Sequence, residues 1–395
     1  MYDFSKKKLL IDINDHNFVL VAGEFDEQLN FKIIDKEIIK SRGIKNGKID
    51  NLSESYESLS KGLIALEKKT DLIFKTANVL VDTFDIESIN VSGFQTLNGN
   101  QILSDDISFI LNNLKNKLTQ TENHKKIIHL FNANYCLDSN YLENIPIGLR
   151  GNLYSHELSF FLINSNDFKS IVHLLNKCNL KPERVLLKKF IEGVQLIQKY
   201  KVESFIKINI LKNSININLF ENSSFIFYQH FKFGSDLIKR DVSKILELKF
   251  ETIEKIFVNT NFEKVNKDGL LDQKYFEKDK FKQIKLNFIL EIILSRVSEI
   301  VEIILEKNIN FNHLKNKKII TFLSFEDVSI ANNLNYYFKK FLKHKSVDYP
   351  IKNNYHLELM EIFGELIGKG WDKEALPMII KKKSFISNIF SSLFD

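Results

Sequence analysis

The strand-like runs of this chain come in two blocks, and that division limits the fold more than any other feature. "KLLIDIN", "FVLVAGEF" and "NFKIIDKEIIK" fill most of the first stretch up to Lys40. They are rich in Ile, Val, Leu and Phe and are parted by short polar breaks, which predicts hairpins. A second block, "FIKINIL", "SININLF" and "SFIFYQHFKF", begins at Phe205. Between the blocks, Tyr56, Leu59, Leu63 and Leu66 recur at helical spacing, with Ser53 as the expected cap. Residues 102–118 predict another helix, with Ile107, Ile110, Leu111 and Leu114 on one face. "KIIHLF" and "ELSFFLI" read as strands, and "DFKSIVHLLNKCNL" as a helix with Asp167 in its first turn. After the second block, "QIKLNFILEIILSRVSEIVEIILEKN" predicts one long helix, apolar on most sides and so largely buried. "KKIITFLSF" then reads as a strand and "IANNLNYYFKKFL" as a helix. This order predicts two mixed α/β halves rather than one sheet.

The composition narrows the function. The 395 residues can hold two or three domains' worth of core. The net charge of +6, from 56 basic and 50 acidic side chains, is too mild for a nucleic-acid footprint. The lysine-rich stretch from Lys307 to Lys345 reads as a solvated face. Cys136 and Cys178 form no CxxC, which argues against a disulfide framework and a zinc site and fits a reducing cytosol. The nine histidines give no metal-ligand spacing. "MYDFSKKKLLIDIN" has too short an apolar stretch for a signal peptide. No run approaches the roughly 18 apolar residues of a spanning helix, so any membrane contact is expected to lie along the surface.

The last residues, "KKKSFISNIFSSLFD", are patterned. On a helix, Phe385, Ile386, Ile389, Phe390, Leu393 and Phe394 fall within about 180° of arc. Ser387, Asn388, Ser391, Ser392 and Asp395 fill the other half, so residues 381–395 predict an amphipathic helix. Two readings follow. The helix docks on its own core, or it lies in a membrane interface with Lys381, Lys382 and Lys383 near anionic headgroups.

"SRGIKNGKID", residues 41–50, resembles a motif of the bacterial cell-division family FtsA, an actin homologue. The family reads Ser-Arg-Gly-(Ile/Met)-x-x-Gly-x-(Ile/Val)-x-(Asp/Asn), matched here by Ser41, Arg42, Gly43, Ile44, Gly47, Ile49 and Asp50. "PIGLRG" resembles its Pro-(Ile/Val)-Gly-(Met/Leu)-x-Gly through Pro146, Gly148, Leu149 and Gly151. "IIHLFNANYCLD" resembles its strand ending Tyr-x-(Val/Ile/Leu)-Asp, with His129, Tyr135 and Asp138 in place. "NKCNL" resembles its Cys-Gly-Leu, with Asn179 for the glycine. In order and spacing the resemblance runs from about residue 9 to about residue 370.

The resemblance implies an α/β, actin-like two-lobed fold, with two mixed-sheet halves, an inserted FtsA-type subdomain and a C-terminal amphipathic helix. Residues 1–83 and 164–200 are then the first half (1A) and 84–163 the insert (1C). Residues 201–228 and 312–370 form the second half (2A), and 229–311 the FtsZ-docking subdomain (2B). Residues 371–380 are expected as a linker and 381–395 as the membrane-targeting helix.

It also implies ATP and Mg²⁺ held between two glycine-rich turns, where backbone N–H groups approach phosphates without a Cβ in the way. That pattern is largely missing. The first turn, Asp-Ile-Gly-Thr/Ser-Ser/Thr-Lys in the family, is "DINDHN" here. Asp12 survives, Asn14 replaces the glycine, and Asp15 is expected to bring negative charge towards phosphate. The second turn, Asp-Ile-Gly-Gly-Gly-Thr-Thr-Asp, is "NILKNSIN". Asn209 and Asn216 stand for both aspartates, Leu211, Lys212 and Asn213 for the glycines, and only Ser214 keeps a hydroxyl. The adenosine motif, Thr-Gly-Gly, is "TFLSF". A Gly-Gly beside the cleft is reduced to Gly234-Ser235, and Lys239 replaces a threonine near Asp241. Asp12, Ser214 and Gly234 are what is left of a degenerate nucleotide cleft; a site rebuilt around Lys212 is the alternative. No catalytic residue or metal ligand is expected, and the chain is not expected to be an enzyme.

The functional expectation is a division adaptor that tethers FtsZ filaments to the cytoplasmic face of the inner membrane and helps assemble the septal ring. In "SRVSE", Arg296 and Glu299 match the family's Arg-x-x-Glu and are the expected site for the FtsZ C-terminal peptide. Anionic inner-membrane lipids, filaments of the protein itself and other division proteins complete the expected partners. The alternatives are an active actin-fold ATPase or kinase, and an actin-like assembly protein of a pilus or other envelope machine.

Overall fold

The computed structural model describes residues 7–264, 266, 268–314, 319–342, 345–348 and 355–375. The expected C-terminal helix lies outside the described residues. In chain order, β1 (Lys7–Ile13), β2 (Asn17–Phe25) and β3 (Phe31–Lys40) are followed by a small hairpin of β4 (Ile44–Lys45) and β5 (Lys48–Ile49). Next come α1 (Leu52–Thr70), β6 (Thr76–Val81), β7 (Glu87–Thr96), α2 (Ser104–Thr121), β8 (Lys125–Leu137), β9 (Asn140–Leu142) and β10 (Leu153–Asn164). They lead to α3 (Ser165–Lys177), β11 (Lys181–Leu187) and α4 (Lys188–Tyr200). The second block contributes β12 (Phe205–Ile210), β13 (Ile215–Glu221), β14 (Ser224–Phe231), α5 (Ser235–Leu246), α6 (Phe250–Asn259) and α7 (Leu286–Val301). The remainder is β15 (Ile320–Phe325), α8 (Val328–Phe341), β16 (Lys345–Asp348) and α9 (Tyr355–Lys369).

These elements divide into two compact units. Among the described residues, the first holds those within 7–203, 220–228 and 355–375, and the second those within 204–219 and 229–348. In the first unit one sheet has the order β11-β6-β1-β2-β3. β1, β2 and β3 form an antiparallel meander, as their polar breaks predict, whereas β1, β6 and β11 run parallel. Leu9–Ile13, Phe18–Ala22 and Val79–Val81 are buried, because helices cover the sheet; α1 and α9 both pack against β2 and β3. The cap of α1 is Asn51 and not the expected Ser53. The chain turns helical one residue after Asn51, whose Oδ1 accepts the N–H groups of Ser53 at 3.1 Å and Glu54 at 3.2 Å.

A second, antiparallel sheet of order β7-β10-β8-β9 is covered by α2 through Ile107, Ile110 and Leu111, which meet Leu130, Leu158, Phe160 and Leu162. Beside it, Phe131, Phe161, Phe190, Phe220 and Phe225 form one aromatic cluster, with Phe161 and Phe225 stacked at 4.1 Å. Gly193 lets α4 lie on the Phe220 ring, where any Cβ would sit 1.9 Å from a ring carbon.

The start of the expected linker is packed on this unit. Trp371 Nε1 donates to Ser223 O at 2.8 Å. Asn132 N donates to Lys373 O at 2.9 Å and Ala375 N to Leu130 O at 2.7 Å, so residues 373–375 lie antiparallel along β8. Glu374 is buried, 2.5 Å from His129 Nδ1 and 3.6 Å from Arg184. These partners are far away in sequence, which is why the segment reads as a linker.

The second unit carries most of a sheet of order β14-β13-β12-β15-β16, in which β12, β15 and β16 are parallel. Helix α7 packs against α5 and α8. The expected long helix stops at Val301 and continues as a wider π turn, Glu302–Glu306.

One buried histidine sets a pH dependence. His156 on β10 has no exposed surface, its Nε2–H donates to Asn132 Oδ1 at 3.0 Å, and the rings of Tyr135 and Tyr154 flank it. Burial lowers its pKa to about 3. The unfolded chain binds this proton near pH 6.5 and the folded chain does not, so stability present above that pH is lost as pH falls. Between pH 7.5 and pH 5 the loss is about 2 kcal/mol from this residue. Urea unfolding of His156→Gln is expected to show a correspondingly flatter dependence over that range.

Candidate functional site

The three parallel strands of the first unit end together. Ile13 lies opposite Val81, and Val81 opposite Leu187. The residues at these carboxyl ends therefore converge: Asp12 and Asn14 from β1, Asp82 after β6, and Lys188 and Lys189 at the start of α4. In open α/β sheets this edge is where ligands bind. Here it is filled by the protein's own side chains. Lys188 Nζ donates to Asp12 Oδ2 at 2.8 Å and lies 3.8 Å from Asp82, while Lys189 pairs with Asp82. The Lys188 and Asp12 side chains are 4% and 1% exposed, so neither charge is answered by bulk water. Burial pulls the Lys188 pKa down, but Asp12 and Asp82 outweigh it and the net shift is upward. Lys189 behaves in the same way. Removing one partner of a buried pair costs about 3–5 kcal/mol, because the other charge stays behind. Two lysines in the first turn of a helix also oppose its dipole, so the carboxylates are what keep them there.

The first turn closes on itself as well. Asn14 Oδ1 accepts the N–H groups of His16 at 3.1 Å and Asn17 at 3.0 Å, and Asn14 Nδ2 donates to Asp12 Oδ2 at 3.1 Å. Asp15, expected to face phosphate, is turned to the β4–β5 hairpin instead. Its carboxylate accepts from Asn46 N at 3.0 Å and Gly47 N at 2.7 Å. Gly47, with φ +70°, is needed there, since a Cβ would stand 2.2 Å from Asp82 O. Lys48 completes the hairpin's attachment through Asp85 at 2.5 Å and Asp167 at 2.9 Å.

In the second unit, Ser214 and Gly234 are brought together, but around backbone. The N–H groups of Ser235 and Asp236, at the start of α5, donate to Leu211 O and Lys212 O, each at 2.9 Å. A Cβ on Gly234 would meet Leu211 O at 2.2 Å and Ser214 N at 2.5 Å, so this glycine serves the close approach of the turn to the helix. Lys212 is exposed and its N–H donates to Glu326 Oε2 at 2.9 Å. Lys239 is buried and donates to Asp327 Oδ2 at 2.6 Å. Burial raises the Asp327 pKa, but the bonds from Lys239 and Ser329 outweigh it and hold the group below the usual carboxylate range.

Neither turn fits a phosphate group: the N–H groups of His16, Asn17, Leu211, Lys212, Ser235 and Asp236 are engaged internally, and an ammonium stands at Asp12 where a divalent ion would need that carboxylate. Among the described residues no group of His, Cys, Asp and Glu could hold a metal ion, and no helix is long and apolar enough to cross a membrane. Also in the second unit, Arg296 of α7 is held by Asp241 of α5 through Nε and by Glu299 through Nη1 at 2.6 Å. Its side chain is 27% exposed and that of Glu299 51%. The residues expected to meet a membrane, Lys381 to Phe394, lie outside the described residues. Reading the sequence missed Lys188 and Lys189. The only signal was the charges Lys188, Lys189 and Glu192 interrupting the apolar run "VLLKKFIEGVQLI".

No family model matches the chain. Among curated proteins it resembles Cell division protein FtsA of Buchnera aphidicola subsp. Acyrthosiphon pisum, at 20% identity over 323 residues. The match covers 79% of this chain and 76% of that protein. FtsA of Neisseria meningitidis serogroup B is 19% identical over 300 residues, covering 75% and 72%. Among solved structures, a chain of the PilM–PilN type IV pilus biogenesis complex superposes with a TM-score of 0.51 at 10% identity, covering 91% of this chain and 95% of that one, which speaks for the actin-like fold. These relatives share one name, so in sequence the chain resembles a divergent Cell division protein FtsA, and in fold an actin-like protein.

Proposed function

We propose that this protein acts in cell division as an adaptor, docking FtsZ filaments through its second unit and holding them at the cytoplasmic face of the inner membrane through its tail, without ATP hydrolysis. The observation that carries the docking half is Arg296. A guanidinium has five N–H donors in a planar fork, and two carboxylates account for only part of them. Asp241 and Glu299 hold the fork at the surface, where an acidic peptide can take the remaining donors in charge-assisted bonds of about 1.5–3 kcal/mol each. An isolated Arg–Glu pair one turn apart would contribute only a few tenths of a kcal/mol to the helix. The pilus-assembly alternative rests on fold likeness alone. The ATPase alternative needs phosphate-holding turns, and the N–H groups of His16, Asn17 and Lys212 are already engaged.

The C-terminal peptide of FtsZ from the same cell tests the docking reading. Arg296→Glu should weaken binding at least about tenfold, about 1.4 kcal/mol, while lowering the melting temperature by no more than a few degrees. Unchanged affinity in isothermal calorimetry removes Arg296 and Glu299 from the site.

The tail supports the membrane half by its pattern: six large apolar residues on one face, and three lysines before them. Each lysine near an anionic surface adds about 1 kcal/mol. The purified protein should therefore sediment with anionic vesicles, and less so in high salt. Phe390→Glu should abolish sedimentation and leave the thermal unfolding curve in place. If that substitution unfolds the protein and the wild type never binds vesicles, the tail belongs to the core and the tether reading fails.

A further inference from the structure

We infer that the first unit carries built-in substitutes for a bound nucleotide and its cation, Asn14 and Lys188, so that its ligand edge is closed in one permanent, nucleotide-independent state. The inference does not depend on the adaptor reading, since it concerns the protein by itself.

Backbone N–H groups in a turn after a strand are a general device for holding anionic oxygens. In this turn the acceptor is part of the chain. Asn14 Oδ1 takes the N–H groups of His16 and Asn17, and its Nδ2 is anchored on Asp12. Asn14 is 6% exposed, so water does not compete for these bonds. A phosphate oxygen could enter only by expelling the carboxamide and would then face the same two donors.

The cation is supplied in the same way. Carboxylates gathered at the ends of parallel strands need positive charge among them, and a divalent ion is one source. Here the Lys188 ammonium is 2.8 Å from Asp12 Oδ2 and 3.8 Å from Asp82 Oδ2, with Lys189 on the other Asp82 oxygen. His356 from α9 lies 3.8 Å from the same Asp12 oxygen. A metal ion would have to displace an ammonium covalently fixed to α4. Since α4 follows β11 without a break, that ammonium is held by the sheet itself. The turn is also bound from its outer side, where Asp15 grips the backbone of the β4–β5 hairpin.

The test is the response of the purified protein to Mg-ATP and to loss of either substitute. A ligand at a hundredfold excess over its Kd raises the melting temperature by several degrees and slows amide exchange where it binds. For the wild type, about 5 mM Mg-ATP should shift the melting temperature by less than about 1 °C and leave exchange at residues 12–17 unchanged. Lys188→Met should lower the melting temperature by about 5 °C or more, and the double variant Lys188→Met with Asp12→Leu should recover part of it, because no buried charge is then left alone. Asn14→Gly should speed exchange of the His16 and Asn17 amides at least about tenfold, since it frees both donors. A clear Mg-ATP shift in the wild type overturns the inference. So does Lys188→Met with an unchanged melting temperature, or Asn14→Gly with unchanged exchange. If Lys188→Met does not fold, the Asn14→Gly and wild-type measurements decide alone.

Discussion

An ammonium buried in a protein has to be answered by carboxylates, and much of the first unit is arranged around that requirement at Lys188. Its partners are Asp12 on β1 and Asp82 after β6, so the pair brings the ends of two parallel strands to the start of the helix that follows the third. Asp82 in turn takes Lys189 and lends its carbonyl to the close approach of Gly47. The β4–β5 hairpin, the first turn and the start of α4 are therefore parts of one polar assembly. Such a cluster favours a specific arrangement over raw stability, because a well-packed apolar set of the same volume would serve about as well energetically.

Much of the fold was legible because it rests on local periodicity. The β1–β2–β3 meander, α1, α2, α3 and the strands β8 and β10 follow from their apolar patterns and polar breaks. The two-block order gives the mixed α/β character. What could not be read depends on partners distant in the chain. Lys188 meets Asp12, 176 positions away, and no local pattern announces that meeting. Glu374 meets His129 across 245 positions, so an ordered segment looks like a linker. Asp15 is misplaced by the sequence reading because a charge in a turn says nothing about which way it faces. Ser53 and Asn51 are both good caps, and only the backbone angles choose between them.

The glycines present are held by the protein's own backbone. Gly43 and Gly47 both have positive φ, and at both a Cβ would come within 2.2 Å of a backbone oxygen. Gly234 is equally confined by the second turn. These positions are constrained by the protein's own backbone, so they stay glycine whatever binds. The glycines expected at Asn14 and at Leu211 to Asn213 would have been needed only for a close approach by phosphate. Under the closed ligand edge proposed above, glycines of the second kind can be lost while those of the first must stay.

The docking of residues 373–375 along β8 has a mechanical meaning. Five residues separate Ala375 from Lys381, and extended chain spans at most about 3.3–3.6 Å per residue. Lys381 can therefore lie no more than about 2.2 nm from Ala375. A pull on Ala375 directed along β8 would load the two backbone bonds to Leu130 and Asn132, together with the buried Glu374, in shear, so that they yield together. Force would enter the first unit at the edge of its longest strand, and Trp371 on Ser223 would be the next point to feel it.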